Sequence, residues 1–230
     1  MSKVQFGGWL TFVWKSAPSP VVLWTRRGLQ LAIGLVAYGF AIGLMLRAGI
    51  GLPPWDVLAQ GLARQTGLSF GLIAVLVGAV VLLLWIPIRQ RPGVGTMLNI
   101  LVIGPSAELG LWLVPQQTVP WQQGVVFAGG LAMLALATGL YVGARLGPGP
   151  RDGLMTGIHA RTGWPNWVVR TGIEVTVLAI GWVLGGQVGI GTLAFALLIG
   201  PMVNVTLPLL RVPLPPAPLI PPTTPREVPA

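Results

Sequence analysis

The sequence predicts an all-α polytopic membrane protein with six transmembrane helices arranged as two inverted three-helix repeats. The chain of 230 residues is 53% hydrophobic and only 8% charged, whereas about 25% of the residues in a typical soluble protein are charged. Six apolar stretches are long enough to cross a bilayer. A block of sequence also recurs 96 residues later without a gap, so the chain contains two copies of one unit.

The internal repeat runs from Ala41 to Pro105 and returns from Ala137 to Pro201, with 20 of 65 positions identical. Its most distinctive element is Gly-x-x-Pro-x-Asp-x-Leu-x-x-Gly, which begins at Gly51 and again at Gly147. Apolar composition alone does not explain shared Gly, Pro and Asp at matched positions. We therefore expect both copies to adopt the same local fold.

The apolar stretches divide evenly between the two copies. They cover residues 28–46, 68–88, 93–114, 123–144, 165–184 and 189–210. Within each copy, a shorter and more polar segment (54–65 and 150–161) follows the first span, and it is predicted to be a re-entrant or surface helix. Because each copy has three spans, the second enters the bilayer from the opposite face, which makes the repeats inverted.

The basic residues give the chain a direction in the membrane. With the N-terminus in the cytoplasm, 11 of the 14 Lys and Arg residues lie inside, Arg47 and Arg64 lie outside, and Arg170 lies within a span. This bias follows the positive-inside rule. The sequence therefore predicts a bacterial inner-membrane protein with both termini in the cytoplasm.

The predicted organisation has five parts. These are an interfacial N-terminal segment (1–25), repeat 1 (26–114), a linker (115–122), repeat 2 (123–210) and a Pro-rich, disordered cytoplasmic tail (211–230). The chain has no Cys and one His, so neither a metal site nor a cofactor is expected. Nucleic acid is not an expected partner either, because the basic residues lie between apolar spans.

The repeated Pro-x-Asp element is typical of a helix start. Pro fits the first helical position, and the carboxylate of Asp56 or Asp152 favours the positive end of the helix dipole. One interpretation is that both Asp side chains only stabilise helix starts. The other is that inverted symmetry brings them to a central cavity, where they hold a cation or proton.

Further candidate residues lie inside the predicted spans. Gly104-Pro105 and Gly200-Pro201 are predicted to kink or break the third and sixth spans, either to form a binding site or to allow packing. The remaining polar candidates are Glu108, its repeat mate Asn204, and the pair Arg170 and Glu174. The last two are four residues apart and can pair on one helix face, as a gate or as a lock between helices.

Several segments resemble the YczE-like bacterial integral membrane proteins, a group related to the YitT group. They are Pro-Trp-Asp-Val at 54–57, the segments 85–96, 147–157 and 188–192, and Arg170-Thr171-x-x-Glu174. The resemblance covers residues 26–210. It implies a multi-pass protein of the bacterial inner membrane, and it implies no particular substrate.

The sequence favours a small secondary transporter or permease for an unknown small molecule or ion, and not an enzyme. Asp56 and Asp152 would line the pathway, with Arg170 and Glu174 as a gate and Glu108 as a protonatable group. No ATP-binding loop is present, so transport would be driven by an ion or proton gradient or would be simple facilitation. The alternative is a non-transporting scaffold or assembly factor for a biosynthetic or export complex. A homodimer is possible in either case.

Overall fold

The computed structural model describes residues 19–213, and this range is helical throughout its regular structure. Most of the predicted N-terminal segment and Pro-rich tail lies outside the described residues. The helices are α1 (Pro20–Ala48), α2 (Pro54–Thr66), α3 (Phe70–Leu83), α4 (Trp85–Ile88), α5 (Val94–Leu113), α6 (Pro120–Gly143), α7 (Pro150–Thr162), α8 (Asn166–Val183) and α9 (Ile190–Leu210).

Five stretches are long and apolar enough to cross a membrane: most of α1, α3 together with α4, and the whole of α5, α6 and α9. They match five of the six predicted spans. The sixth, residues 165–184, forms α8, which is not among these five candidates. The ionic residues Arg170 and Glu174 lie in its first half and lower its hydropathy. That α8 crosses the bilayer therefore stays a prediction.

Local sequence signals set the helix boundaries. Ser19 and Pro20 start α1, and the Ser19 hydroxyl accepts a hydrogen bond from the Val22 amide at 3.4 Å. The first helix therefore begins inside the segment 1–25 that the sequence assigned to a separate anchor. The two short polar segments, α2 and α7, both begin with Pro and end before a Gly in the left-handed conformation, as expected for helix starts and ends.

The long helices pack around α1, which contacts both α5 and α6, while α6 also packs against α9. The buried side chains of Leu31, Leu35, Ile42 and Met45 on α1 form the centre of this core. On the other flank, α2 packs against α3 and α8, and α7 packs against α3, α4 and α8. Helices of the first half pack against helices of the second half in three pairs: α1 with α6, α2 with α8, and α3 with α7. The two halves therefore form one interlocked unit.

The non-helical segments before α2 and α7 bond to the opposite half of the chain. The Gly191 amide, at the start of α9, donates to the Ile50 carbonyl at 2.8 Å. At the matching positions, the Gly95 amide at the start of α5 donates to the Leu146 carbonyl at 2.9 Å. Buried and half-buried backbone groups need such partners, because water cannot fully satisfy them.

Two threonines add further hydrogen bonds between the two halves. The hydroxyl of Thr192 accepts from the Leu52 amide at 3.1 Å. Its repeat mate, Thr96, instead donates its hydroxyl to the Pro148 carbonyl at 2.7 Å. The direction of the hydrogen bond reverses because Pro148 occupies the repeat position of Leu52, and proline has no amide hydrogen to donate. The Gly-x-Gly-Thr motifs at 93–96 and 189–192 therefore connect the two halves.

We expect Gly51→Ala and Gly147→Ala to destabilise the protein. Gly51 has φ +121° and Gly147 has φ +132°, a region that other residues rarely occupy. An added Cβ would also lie 2.8 Å from the Thr192 hydroxyl at position 51, and 2.9 Å from the Thr96 hydroxyl at position 147. Each change should cost about 1–3 kcal/mol, measured as a lower Tm in detergent.

Gly129→Ala on α6 is the matched control for this pair. A Cβ there meets no atom within 4 Å, and alanine favours a helix by up to about 1 kcal/mol. Its Tm should stay the same or rise. Equal Tm values for all three variants would show that the hydrogen bonds between the two halves contribute little to stability.

Candidate functional site

The starts of α2 and α7 meet in the protein interior through one ion pair. Asp56, in the first turn of α2, is 1% exposed. An Nη2 of Arg151, in the first turn of α7, donates to its Oδ1 at 3.2 Å. Burial raises the pKa of Asp56 above its ordinary value, and the charge of the Arg151 guanidinium acts in the opposite direction. The pair therefore links equivalent helix starts from the two halves.

Trp55 completes this contact. The guanidinium carbon of Arg151 lies 5.2 Å from the centre of the indole ring, within the range of a cation–π interaction. Trp55 and Arg151 occupy the same position in the two repeats. One position therefore supplies the aromatic face in the first half and the cation in the second.

The second motif carboxylate, Asp152, has a different environment. Its Oδ2 accepts a hydrogen bond from the Tyr141 hydroxyl at 3.1 Å. The ring of Tyr38 packs edge-on against Tyr141, with ring centres 5.7 Å apart. Among residues 19–213, no basic side chain forms a salt bridge with Asp152. Asp56 thus has a cationic partner, whereas Asp152 has a neutral one.

Two small cavities, with volumes of about 80 and about 70 Å³, flank Arg151 and Asp152, whereas Asp56, which the sequence predicted to line a pathway, lines neither of them. Tyr38, Arg151 and Asp152 line both cavities. The first cavity also touches Asn99 and Tyr141 and extends between α3 and α5. The second also includes Trp55 and extends toward α8 and α9. The three shared side chains therefore form the partition between two water-sized spaces.

The cavities occupy equivalent places in the two repeats, although their linings differ. Six pairs of lining residues are related by the offset of 96: Ala74 and Arg170, Gly78 and Glu174, Asn99 and Phe195, Gly149 and Pro53, Pro150 and Pro54, and Arg151 and Trp55. The first cavity has small or amide side chains where the second has an ion pair and an aromatic ring. Equivalent architecture thus carries different chemistry in each half.

Arg170 and Glu174 pair as the spacing predicted. The Nε of Arg170 donates to Oε1 of Glu174 at 3.0 Å. Their side chains are 53% and 27% exposed, respectively, so the pair lies at the edge of the second cavity. That the pair acts as a gate stays a prediction.

Glu108 lies away from this site. Its Oε1 accepts from the Gly71 amide at 2.6 Å, in the first turn of α3. A carboxylate at this position stabilises the helix start. Gly71 and Gly104 also lie in close backbone contact there, so Glu108 joins α5 to α3 and is absent from the lining of both cavities.

The other polar candidate and the predicted helix breaks also differ from expectation. Asn204 is exposed on α9 and lines neither cavity. The helices α5 and α9 run without interruption through Pro105 and Pro201. A break at Gly104-Pro105 or Gly200-Pro201 is therefore absent, whereas the kink that the sequence also allowed stays a prediction.

Sequence reasoning missed four residues of the site: Tyr38, Trp55, Tyr141 and Arg151. Two signals could have identified them. Tyr38 and Tyr141 are the two tyrosines of the chain, and both lie within apolar spans. Trp55 and Arg151 directly precede the repeated Asp and differ in charge between otherwise similar motifs.

These features define a multi-pass membrane protein with a buried ionic site between two sequence repeats. The chain belongs to the family described as a family of unknown function (DUF6198), whose model matches residues 25–208. It is 38% identical to an uncharacterized Haemophilus influenzae protein over 79% of this chain and 85% of that one. It is 33% identical to the Bacillus subtilis "uncharacterized membrane protein YczE" over 76% and 82% of the two chains.

A more distant relative is the B. subtilis "uncharacterized protein YyaS", which is 26% identical over 80% of this chain and 93% of that protein. No solved structure matches the chain. The resemblance to YczE-like membrane proteins is thus confirmed, and these relatives carry no named activity.

We expect Asp56→Ala to destabilise the protein by about 3–5 kcal/mol, because it leaves the Arg151 guanidinium without its buried partner. The double variant Asp56→Leu/Arg151→Met removes both charges and should recover most of the loss. Glu174→Gln removes the charge of a more exposed pair and should cost less than about 1 kcal/mol. Thermal unfolding in detergent measures all three, and equal losses for both single variants would contradict this assignment.

Glu108 should act through the start of α3. Glu108→Ala removes the acceptor for the Gly71 amide and should cost about 1 kcal/mol. Glu108→Gln keeps an acceptor oxygen of similar reach and should retain most of the stability. If Glu108→Gln lowers Tm as much as Glu108→Ala does, the hydrogen bond to Gly71 is not the source of the effect.

Proposed function

We propose that this protein is a small secondary transporter or permease of the bacterial inner membrane. The observation that carries the proposal is the buried Asp56–Arg151 pair, placed beside a partition between two equivalent cavities. Secondary transporters with inverted repeats place their binding sites near the bilayer midplane, where helices of both repeats meet. Ionisable groups buried in such a bundle generally have a transport role.

An inverted arrangement of the repeats, with both termini in the cytoplasm, is part of this proposal. The segments that connect the helices form two groups, and each group has its own hydrogen bonds. In one group, the Arg64 guanidinium donates to the Gly185 carbonyl, and Gly191 bonds to Ile50. In the other, Arg27 donates to Ala144 at 2.8 Å, and Gly95 bonds to Leu146. Two separate groups are what opposite membrane faces would require.

The two halves differ in one packing contact, which suggests how the transporter moves. In the first half, Gly71 and Glu108 hold α3 against α5. In the second half, α8 and α9 barely touch: Trp167, at the position equivalent to Gly71, is 71% exposed, and a Cβ on Gly200 would meet no atom within 4 Å. We assign these arrangements to the closed and open states, which the halves exchange during transport.

Within this mechanism, Asp152 is the group that we assign to the coupling proton or cation. It borders both cavities and has the Tyr141 hydroxyl, not a basic side chain, as its partner. Arg170 and Glu174 border the second cavity alone and would gate it. Glu108 no longer has a coupling role in this account, because its carboxylate stabilises α3.

Transport can be tested with the purified protein in two stages. A panel of small metabolites and ions is first screened by thermal shift in detergent. Compounds that raise Tm are then tested for uptake into proteoliposomes that contain a pH-sensitive dye. We expect gradient-dependent uptake by the wild type, no uptake with Asp152→Asn, and retained uptake with Glu108→Gln.

Two results would contradict the proposal. One is an Asp152→Asn variant that transports as well as the wild type, which would remove Asp152 from the mechanism. The other is the absence of any stabilising or transported compound together with stable co-purification of a protein partner. That second result would favour the scaffold or assembly function.

A further inference from the structure

A large apolar groove lies beside the ionic site, between α2, α3, α7 and α8. Its volume is about 780 Å³, within the range of ligand pockets. Buried Val81, Leu154 and Val177 lie along it, and Leu76 and Val80 at its edge are 46% and 56% exposed. The groove therefore opens toward the hydrocarbon of the bilayer, and an apolar chain can enter it from there.

Trp55 connects this groove to the second cavity, because its side chain lines both. The residue is 7% exposed, and its Nε1 is buried without an acceptor among residues 19–213. Trp85, in the same apolar cluster, donates its Nε1 to the Pro150 carbonyl at 3.0 Å. A buried donor without a partner is unfavourable, so the Trp55 indole indicates that a ligand supplies an acceptor.

Two guanidinium groups line the cavity beyond Trp55. Arg151 donates through one Nη2 to Asp56, and Arg170 donates through Nε to Glu174. Within the described part of the chain, these are the hydrogen bonds that the two groups make. A guanidinium has five N–H donors in a planar fork, and that fork matches a carboxylate. Asp152 and Glu174 also line this cavity, so an acidic head group would be held there by the remaining N–H donors of the two guanidinium groups and not by a net positive charge.

We propose that the groove and the second cavity together bind a single-chain amphiphile with a carboxylate head, such as a long-chain fatty acid anion. The hydrocarbon chain lies in the groove. The carboxylate lies in the cavity of about 70 Å³, where it accepts from the Trp55 indole and pairs with Arg170. This inference names a substrate class for the proposed transporter and rests on that proposal only for the transport step.

Radiolabelled oleate is the probe, and its binding to purified protein in detergent is measured by scintillation proximity. Gly172 lines the groove, and a Cβ there meets no atom within 4 Å. Gly172→Phe should therefore fill the groove without disturbing the packing, and it should weaken oleate binding by about tenfold or more. Thr176→Phe, also in the groove, is a second filling variant in case the first folds poorly.

Gly129→Phe is the matched control, because position 129 has equal space and lies on α6, away from the groove. It should bind oleate as the wild type does. Trp55→Phe keeps an aromatic ring but removes the indole donor, and it should weaken binding by about tenfold. Unlabelled oleate should displace the probe, whereas methyl oleate, which lacks the charged head, should not.

Equal oleate binding by Gly172→Phe, Thr176→Phe and Gly129→Phe would overturn the inference, and so would displacement by methyl oleate at the concentration that oleate requires. Uptake of another small molecule without oleate binding would refute this substrate class and leave the transporter proposal intact. Saturable oleate binding without transport into proteoliposomes would support the binding site and refute the transporter proposal.

Discussion

The rest of the structure depends on how two non-helical backbone segments inside an apolar protein obtain hydrogen bonds. These segments precede α2 and α7. Residues 51–53 and Gly149 in these segments are buried, and buried backbone groups need hydrogen-bond partners. Each segment bonds to the first turn of a long helix from the other half, through Gly191 and Thr192 in one case and Gly95 and Thr96 in the other. The two halves therefore stabilise each other's non-helical segments.

The central site accompanies these hydrogen bonds between the halves, because the start of α2 lies against the start of α7 there. A symmetric protein would place identical residues face to face at this contact. Here Trp55 faces Arg151, and the guanidinium contacts both that ring and Asp56. Asp152 is left with Tyr141. A fold with near symmetry thus carries an asymmetric distribution of charge.

Local features were predictable from the sequence, whereas contacts between helices were not. Pro54 and Pro150 start helices as expected because proline fits the first helical position regardless of tertiary context. The pairing of Arg170 with Glu174 followed from helical spacing alone. In contrast, the partner of Asp56 lies 95 residues away on α7. Glu108 and Asn204 occupy the same position in the two repeats, but their surroundings differ. The helix α3 packs on α5 around Glu108, whereas its counterpart α8 does not pack on α9 around Asn204. Repeat equivalence in the sequence therefore could not predict these two environments.

The central claim is that the two repeats have opposite orientations in the bilayer, and it is tested most directly with one pair of equivalent positions. Gln65 and Arg161 are related by the offset of 96, both are exposed, and the chain has no native cysteine. In intact cells, a membrane-impermeant maleimide should label Gln65→Cys, and it should label Arg161→Cys only after permeabilisation. Labelling of both variants from the same side would contradict the inverted arrangement and the transport mechanism built on it.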